Sequence, residues 1–154
     1  MPSNCASLPD KIAHNAKPAR ELVGTKIDQA FIGSCANGRI EDFAIAAEVM
    51  RGKQVAPDVR MIVAPASTKV MKEAVAKGYV STLIEAGAVV TNSTCGACCG
   101  GHMGVLGDGE VCITASTRNF KGRTGSPEAQ IYLGSPATVA ASAIAGSIAD
   151  PREF

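Results

Sequence analysis

The residues best suited to chemistry crowd into TCGACCGGH, residues 94–102, which places Cys95, Cys98 and Cys99 within five positions and ends on His102. Thiols this close, in a chain without an export signal, point to metal or redox chemistry rather than a structural disulfide. Cys95 and Cys98 form a CxxC pair whose intervening Gly96 and Ala97 keep the turn narrow, so both sulfurs can face one ligand and the backbone can approach a bulky inorganic group. A helix beginning near Cys98 would favour its thiolate through the N-terminal dipole. Cys35, far earlier in the chain, can add a third ligand from a parallel loop, and three thiolates leave a metal group one protein ligand short. Spacing alone leaves two alternatives open: a thioredoxin-type redox pair, and zinc held by three cysteines plus His102. Cys5, in the N-terminal arm, and Cys112, in the middle of an apolar run, read as non-ligands.

Arg118 and Arg123 stand five apart in TRNFKGRTG, a stretch too rich in glycine and polar residues for an ordinary helix. Two guanidiniums on one loop suit a ligand with two carboxylates, since each can make a paired, charge-assisted contact. The plain alternative is a solvated surface loop. His14 and His102 are equally compatible with exposed, non-functional positions.

These residues need elements to position them. Residues 26–34 read as a strand stopped by Gly33 and Ser34, which would deliver Cys35, Asn37 and Arg39 on a loop. Ile40, Phe43, Ala44, Ala47 and Met50 recur at helical spacing, with Glu41, Asp42 and Glu48 on the surface. A second strand over 59–64 ends at Pro65, and Ser67 caps a helix running to Gly78. A short helix over 79–86 leads to a strand at 88–91 that feeds the cysteine loop. Strands at 111–115 and 131–133 follow, and Ser135 with Pro136 opens a last helix, with the run 137–149 read as buried and helical. Strands separated by helices predict an α/β fold: three layers, α/β/α, around a mostly parallel sheet. Ligands of such sheets bind at the carboxyl ends of the strands, where all three polar loops would meet.

At 154 residues the chain suits one domain, assigned to 25–154, with 1–24 as an extended arm or linker. Few aromatics and 16 glycines imply an aliphatic core with many tight turns. A net charge of +1 with scattered basic residues gives no footprint for nucleic acid or a membrane surface, so a small polar molecule is the expected partner. No secretory signal or membrane-length apolar run is present, and a cytoplasmic location is the default expectation.

FIGSCANGRIEDF, TCGACCGGHMG, RNFKGR and GSPATVAASAIAG occur in the order and spacing found at the carboxyl end of aconitase-superfamily proteins. Across residues 17–152 the chain resembles, in particular, the large subunits of the 3-isopropylmalate dehydratase and homoaconitase type. The resemblance implies a [4Fe-4S] cluster on Cys35, Cys95 and Cys98, with Cys99 a bystander and the fourth iron a Lewis acid without a protein ligand. It implies that Arg118 and Arg123 hold substrate carboxylates and that Asn37 sits beside the cluster as a hydrogen-bond partner. Thr117 stands where relatives commonly have asparagine, and would reach the cluster's surroundings with a shorter arm; Cys99 replaces a usually apolar residue.

The implied activity is a hydro-lyase isomerising 2-hydroxy di- or tricarboxylic acids, such as isopropylmalate or homocitrate. Family large subunits run to several hundred residues, with upstream α/β domains, and a small subunit or swivelling domain supplies the serine base. The chain is therefore expected to be the cluster-binding portion of a longer large subunit, with no catalytic base of its own and little activity alone. A non-catalytic metal-binding or iron-sensing module of the same descent is the alternative, and the intact RNFKGR arginines favour the enzyme.

Overall fold

The computed structural model describes residues 5–7 and 16–154. His14 lies outside the described residues. Two short strands, β1 (Cys5–Ser7) and β2 (Ala16–Pro18), pair antiparallel, and β1 joins the main sheet through Ser7 opposite Leu133. The remaining elements alternate as expected: β3 (Gln29–Gly33), α1 (Ile40–Met50), β4 (Arg60–Ala64), α2 (Thr68–Ala76), α3 (Tyr79–Glu85), β5 (Val89–Val90), β6 (Val111–Thr114), β7 (Gln130–Leu133) and α4 (Pro136–Ala145). The sheet order is β2-β1-β7-β6-β3-β4-β5, and the five strands from β7 to β5 are all parallel.

Side chains alternate across each strand, so each face has its own set. Ala30, Ile32, Met61, Val63, Ile113 and Tyr132 face the helices and share one core with Phe43, Leu83 and Val139. Phe31, Ile62 and Ala64 face the other way and meet Ala97, Cys98 and Met103, while Cys112 and Ile131 meet Leu106. Among the described residues the helical cover thus lies on one face, and the third layer is the segment between β5 and β6. Chain direction explains the division. The chain steps outward from β3 to β4 and β5, then returns to β6 on the other side of β3; a right-handed connection that reverses direction crosses the opposite face. The reversal makes the carboxyl ends of β3 and β6 the switch point of the sheet.

Helix starts follow the sequence signals. The Ser67 hydroxyl accepts the Val70 N–H at 3.2 Å, and Ser135 accepts the Thr138 N–H at 3.1 Å with Pro136 in the first turn. The last helix ends earlier than the apolar run suggests. Gly146 takes a left-handed φ of 74° after Ala145, which stops α4, and Ser147 instead pairs with Lys26. Ala46 is fully buried on α1, a position the helical pattern did not single out. No helix among the described residues is long and apolar enough to cross a membrane.

Phe43 is fully buried at the centre of the helical face. Phe43→Ala is expected to lower unfolding stability by about 3–5 kcal/mol through lost burial and the cavity left behind, measured by urea denaturation.

Candidate metal centre

Cys35 follows β3 through a backbone that few residues tolerate. Gly33 has φ of 132°, and a Cβ there would lie 2.0 Å from the Ala64 carbonyl oxygen. Ser34 has φ of 70° and is fully buried. It is the non-glycine residue with positive φ among those described, a conformation that persists only where its surroundings enforce it. Here the Ser34 N–H donates to the Ala64 carbonyl at 3.1 Å, and its hydroxyl accepts the Ala36 N–H at 3.4 Å. The turn that follows exposes Cys35. Asp42, read from sequence as a surface residue, closes this loop: its carboxylate accepts the Arg39 N–H at 2.9 Å and the Asn37 amide nitrogen at 3.3 Å. An acidic residue in the first turn of a helix was the available signal. The Asn37 amide oxygen is buried and has no partner among the described residues, an acceptor that calls for a donor from whatever fills the site.

The second cysteine loop lands on the same platform. Residues Gly96–Cys98 form a single 3-10 turn. No α-helix begins near Cys98, so the turn, not a helix dipole, positions that thiol. A Cβ on Gly96 would lie 2.9 Å from the Phe31 ring and 3.1 Å from the Ala64 Cβ. Glycine at 96 therefore lets the cysteine turn rest on the ends of β3 and β4, beside the Cys35 loop. Cys95 and Cys99 are exposed and Cys98 is buried. Beyond the turn the chain crosses the sheet face and is pinned by fully buried Gln29, whose amide donates to the Gly104 carbonyl at 3.0 Å and accepts from Arg60 at 3.4 Å.

The arginine loop is stitched to the cysteine loop. The Leu106 N–H donates to the Thr124 carbonyl at 2.8 Å and the Ser126 N–H to the Leu106 carbonyl at 2.9 Å. Gly100 packs so closely that a Cβ there would lie 2.6 Å from the Thr124 carbonyl carbon. Arg123 donates from Nε to the Cys98 carbonyl at 2.8 Å, and its Nη2 lies 4.0 Å from the Cys98 sulfur. Its guanidinium also covers the exposed Phe120 ring, 5.4 Å from the centroid. Arg118, Thr117 and His102 are exposed.

Taken together, the Cys35 loop and the CxxC turn share Ala64, and Arg123 reaches Cys98. Among the described residues no three His, Cys, Asp or Glu side chains converge on a single ion, the convergence that zinc on three cysteines plus His102 requires. A cuboidal cluster takes one thiolate per iron and does not require it.

The family model of the aconitase family (aconitate hydratase) matches residues 3–146. The chain belongs to the aconitase family. It is 60% identical over 145 residues to a protein named 3-isopropylmalate dehydratase large subunit from Mycolicibacterium smegmatis, a match covering 94% of this chain and 34% of that protein. A homoaconitase large subunit from Thermus thermophilus is 53% identical over 140 residues, covering 91% of this chain and 34% of that protein. A 3-isopropylmalate dehydratase large subunit from Sulfurihydrogenibium sp. is 53% identical over 149 residues, covering 97% and 34%. The chain thus spans about a third of the length of these aconitase-family relatives. Its donor set suits a thiolate-held iron-sulfur group: three thiols on loops sharing one platform, and glycines that admit close backbone approach.

Cys112 stands apart from this set as a core residue of β6, 1% exposed, where burial pushes its thiol up to about 12. Between the ordinary thiol value of 9.0 and about 12 the unfolded chain releases this proton while the folded chain keeps it. Stability therefore falls as pH rises through that window, with a slope of up to about 1.4 kcal/mol per pH unit from this group. Cys112→Ala should remove that part of the alkaline slope, measured by urea unfolding at several pH values.

Proposed function

We propose that this chain is the cluster-bearing portion of a hydro-lyase that isomerises 2-hydroxy di- or tricarboxylic acids by dehydration and rehydration. Cys35, Cys95 and Cys98 hold a [4Fe-4S] cluster, and Cys99 is not a ligand. The observation that carries this reading is the shared platform: both thiol-bearing loops press on Ala64, and Arg123 reaches the Cys98 turn from a third loop. The names of the relatives, dehydratase and homoaconitase large subunits, support it.

Removing a proton from the carbon beside a carboxylate places negative charge on that carboxylate, and expelling hydroxide places charge on the departing oxygen. Arg118, exposed and without a hydrogen bond or ion pair among the described residues, is free to grip a carboxylate with its full fork. Arg123 offers a second, more buried cation. Asn37 presents a fixed acceptor for a hydroxyl or water donor, because Asp42 holds its amide nitrogen. Thr117 stands exposed next to Arg118 and completes the polar rim. When bound, the cluster supplies Lewis-acid pull on the departing hydroxyl. The proton-abstracting base comes from outside this chain, from the further length that the relatives possess or from a small subunit partnering the large one.

Cys35→Ala, Cys95→Ala and Cys98→Ala should each abolish uptake of iron and acid-labile sulfide on anaerobic reconstitution, while Cys99→Ala should retain it. Equal loss from Cys99→Ala would overturn the ligand assignment. In the complete enzyme, Arg118→Ala should raise KM for the hydroxy acid at least about tenfold, the loss expected for one charge-assisted contact, and unchanged steady-state kinetics would refute its role.

A further inference from the structure

The guanidinium of Arg123 is not simply waiting for a ligand. Nε donates to the Cys98 carbonyl at 2.8 Å and Nη2 lies 4.0 Å from the Cys98 sulfur, so the side edge of the planar fork is turned to this one residue. The end edge, between the two terminal nitrogens, makes no further hydrogen bond among the described residues, which leaves it for a carboxylate. Phe120 holds the plane from its face at 5.4 Å, and the Leu106 to Gly125 bridge with the close packing of Gly100 holds the backbone just after Arg123. Arg123 is half-buried where Arg118 is exposed, so its charge is less screened by water.

We propose that Arg123 is a positioning residue for the Cys98 ligand as well as a carboxylate partner, orienting the Cys98 sulfur and raising the reduction potential of a cluster bound there. The inference rests on the cluster reading above. A cation and an N–H donor beside a ligating sulfur stabilise the reduced cluster, which carries one more electron, over the oxidised one. Because the same guanidinium keeps an open edge, a carboxylate bound to it would neutralise part of that charge. Substrate occupancy and the electronics of the Cys98 iron are then coupled through one side chain.

The test compares the unaltered chain with Arg123→Gln, Arg123→Lys and Phe120→Ala after anaerobic reconstitution with ferrous iron and sulfide. Iron and sulfide per chain are measured first, then the midpoint potential in a mediated titration with dithionite as electron donor. Arg123→Gln should lower the equilibrium constant for one-electron reduction about tenfold, about 59 mV. Arg123→Lys, which keeps the charge but not the planar fork, should shift the midpoint the same way by less. Phe120→Ala, at an exposed ring, should retain full iron and sulfide with a small shift in that direction. If Arg123→Gln fails to fold or to take up a cluster, the other two variants carry the comparison. Unchanged midpoints at full iron and sulfide would overturn the proposal and leave Arg123 with no influence on the cluster. Failure of the unaltered chain to take up iron and sulfide would sink the cluster reading and this inference with it, a result distinct from any difference among variants.

Discussion

The backbone of Ala64, the last residue of β4, is approached by the chain from two directions, and a side chain on either approaching residue would collide with it. A Cβ on Gly33 would lie 2.0 Å from the Ala64 oxygen and one on Gly38 2.4 Å from it, while Gly96 comes down on the Ala64 side chain. This crowding is a steric constraint, not an attraction, and the rest of the site follows from it. It admits the sharp turn after β3, where the Ser34 N–H donated to the Ala64 carbonyl holds the left-handed backbone of Ser34, and lets the CxxC turn lie flat on the ends of two strands.

The sheet provides the platform because its strands are parallel and its chain reverses direction once. Parallel strands put the loops after β3, β5 and β6 at one end, and the reversal between β5 and β6 carries the cysteine segment over the face that the helices leave open. The core on the helical face is aliphatic and tightly filled around Phe43, Leu83 and Val139. The opposite face is covered more thinly, by glycine-rich coil tied down at single points such as the Gln29 contact with Gly104. The stable and the chemically equipped halves of the domain are thereby separated by the sheet itself. The arginine loop belongs to the second half, joined to the cysteine coil through Leu106, Thr124 and Ser126.

The α/β alternation, the capping serines and the identity of the three polar loops were legible in the sequence, because hydrophobic period, Ser and Pro at helix starts, and clustered thiols are local properties. The early stop of α4 was not: Gly146 lies within a continuous small and apolar run, and only its left-handed backbone and the pairing of Ser147 with Lys26 end the helix. Nor was the role of Asp42 evident, since an acid at that helical position reads equally well as solvated until Arg39 and Asn37 are brought to it. The segment at Cys98 is a 3-10 turn rather than the start of a helix, and just beyond it Gly100, at φ of 60°, packs against Thr124 and Gly125, contacts that no local pattern announces.

By itself the sequence determined which residue types were available for chemistry: the thiols of Cys35, Cys95 and Cys98, the guanidiniums of Arg118 and Arg123, and the glycines around them. These are covalent facts, and their order along the chain was enough to reveal the family. Tertiary structure alone decided how they are buried and oriented. Arg118 and Arg123 are equivalent in sequence, but packing leaves one exposed and turns the other onto Cys98. Cys98 and Cys99 are adjacent and chemically identical, yet one is buried against Phe31 and Ala64 and the other faces solvent. Burial, orientation and partner depend on contacts between segments distant along the chain, which no local pattern encodes.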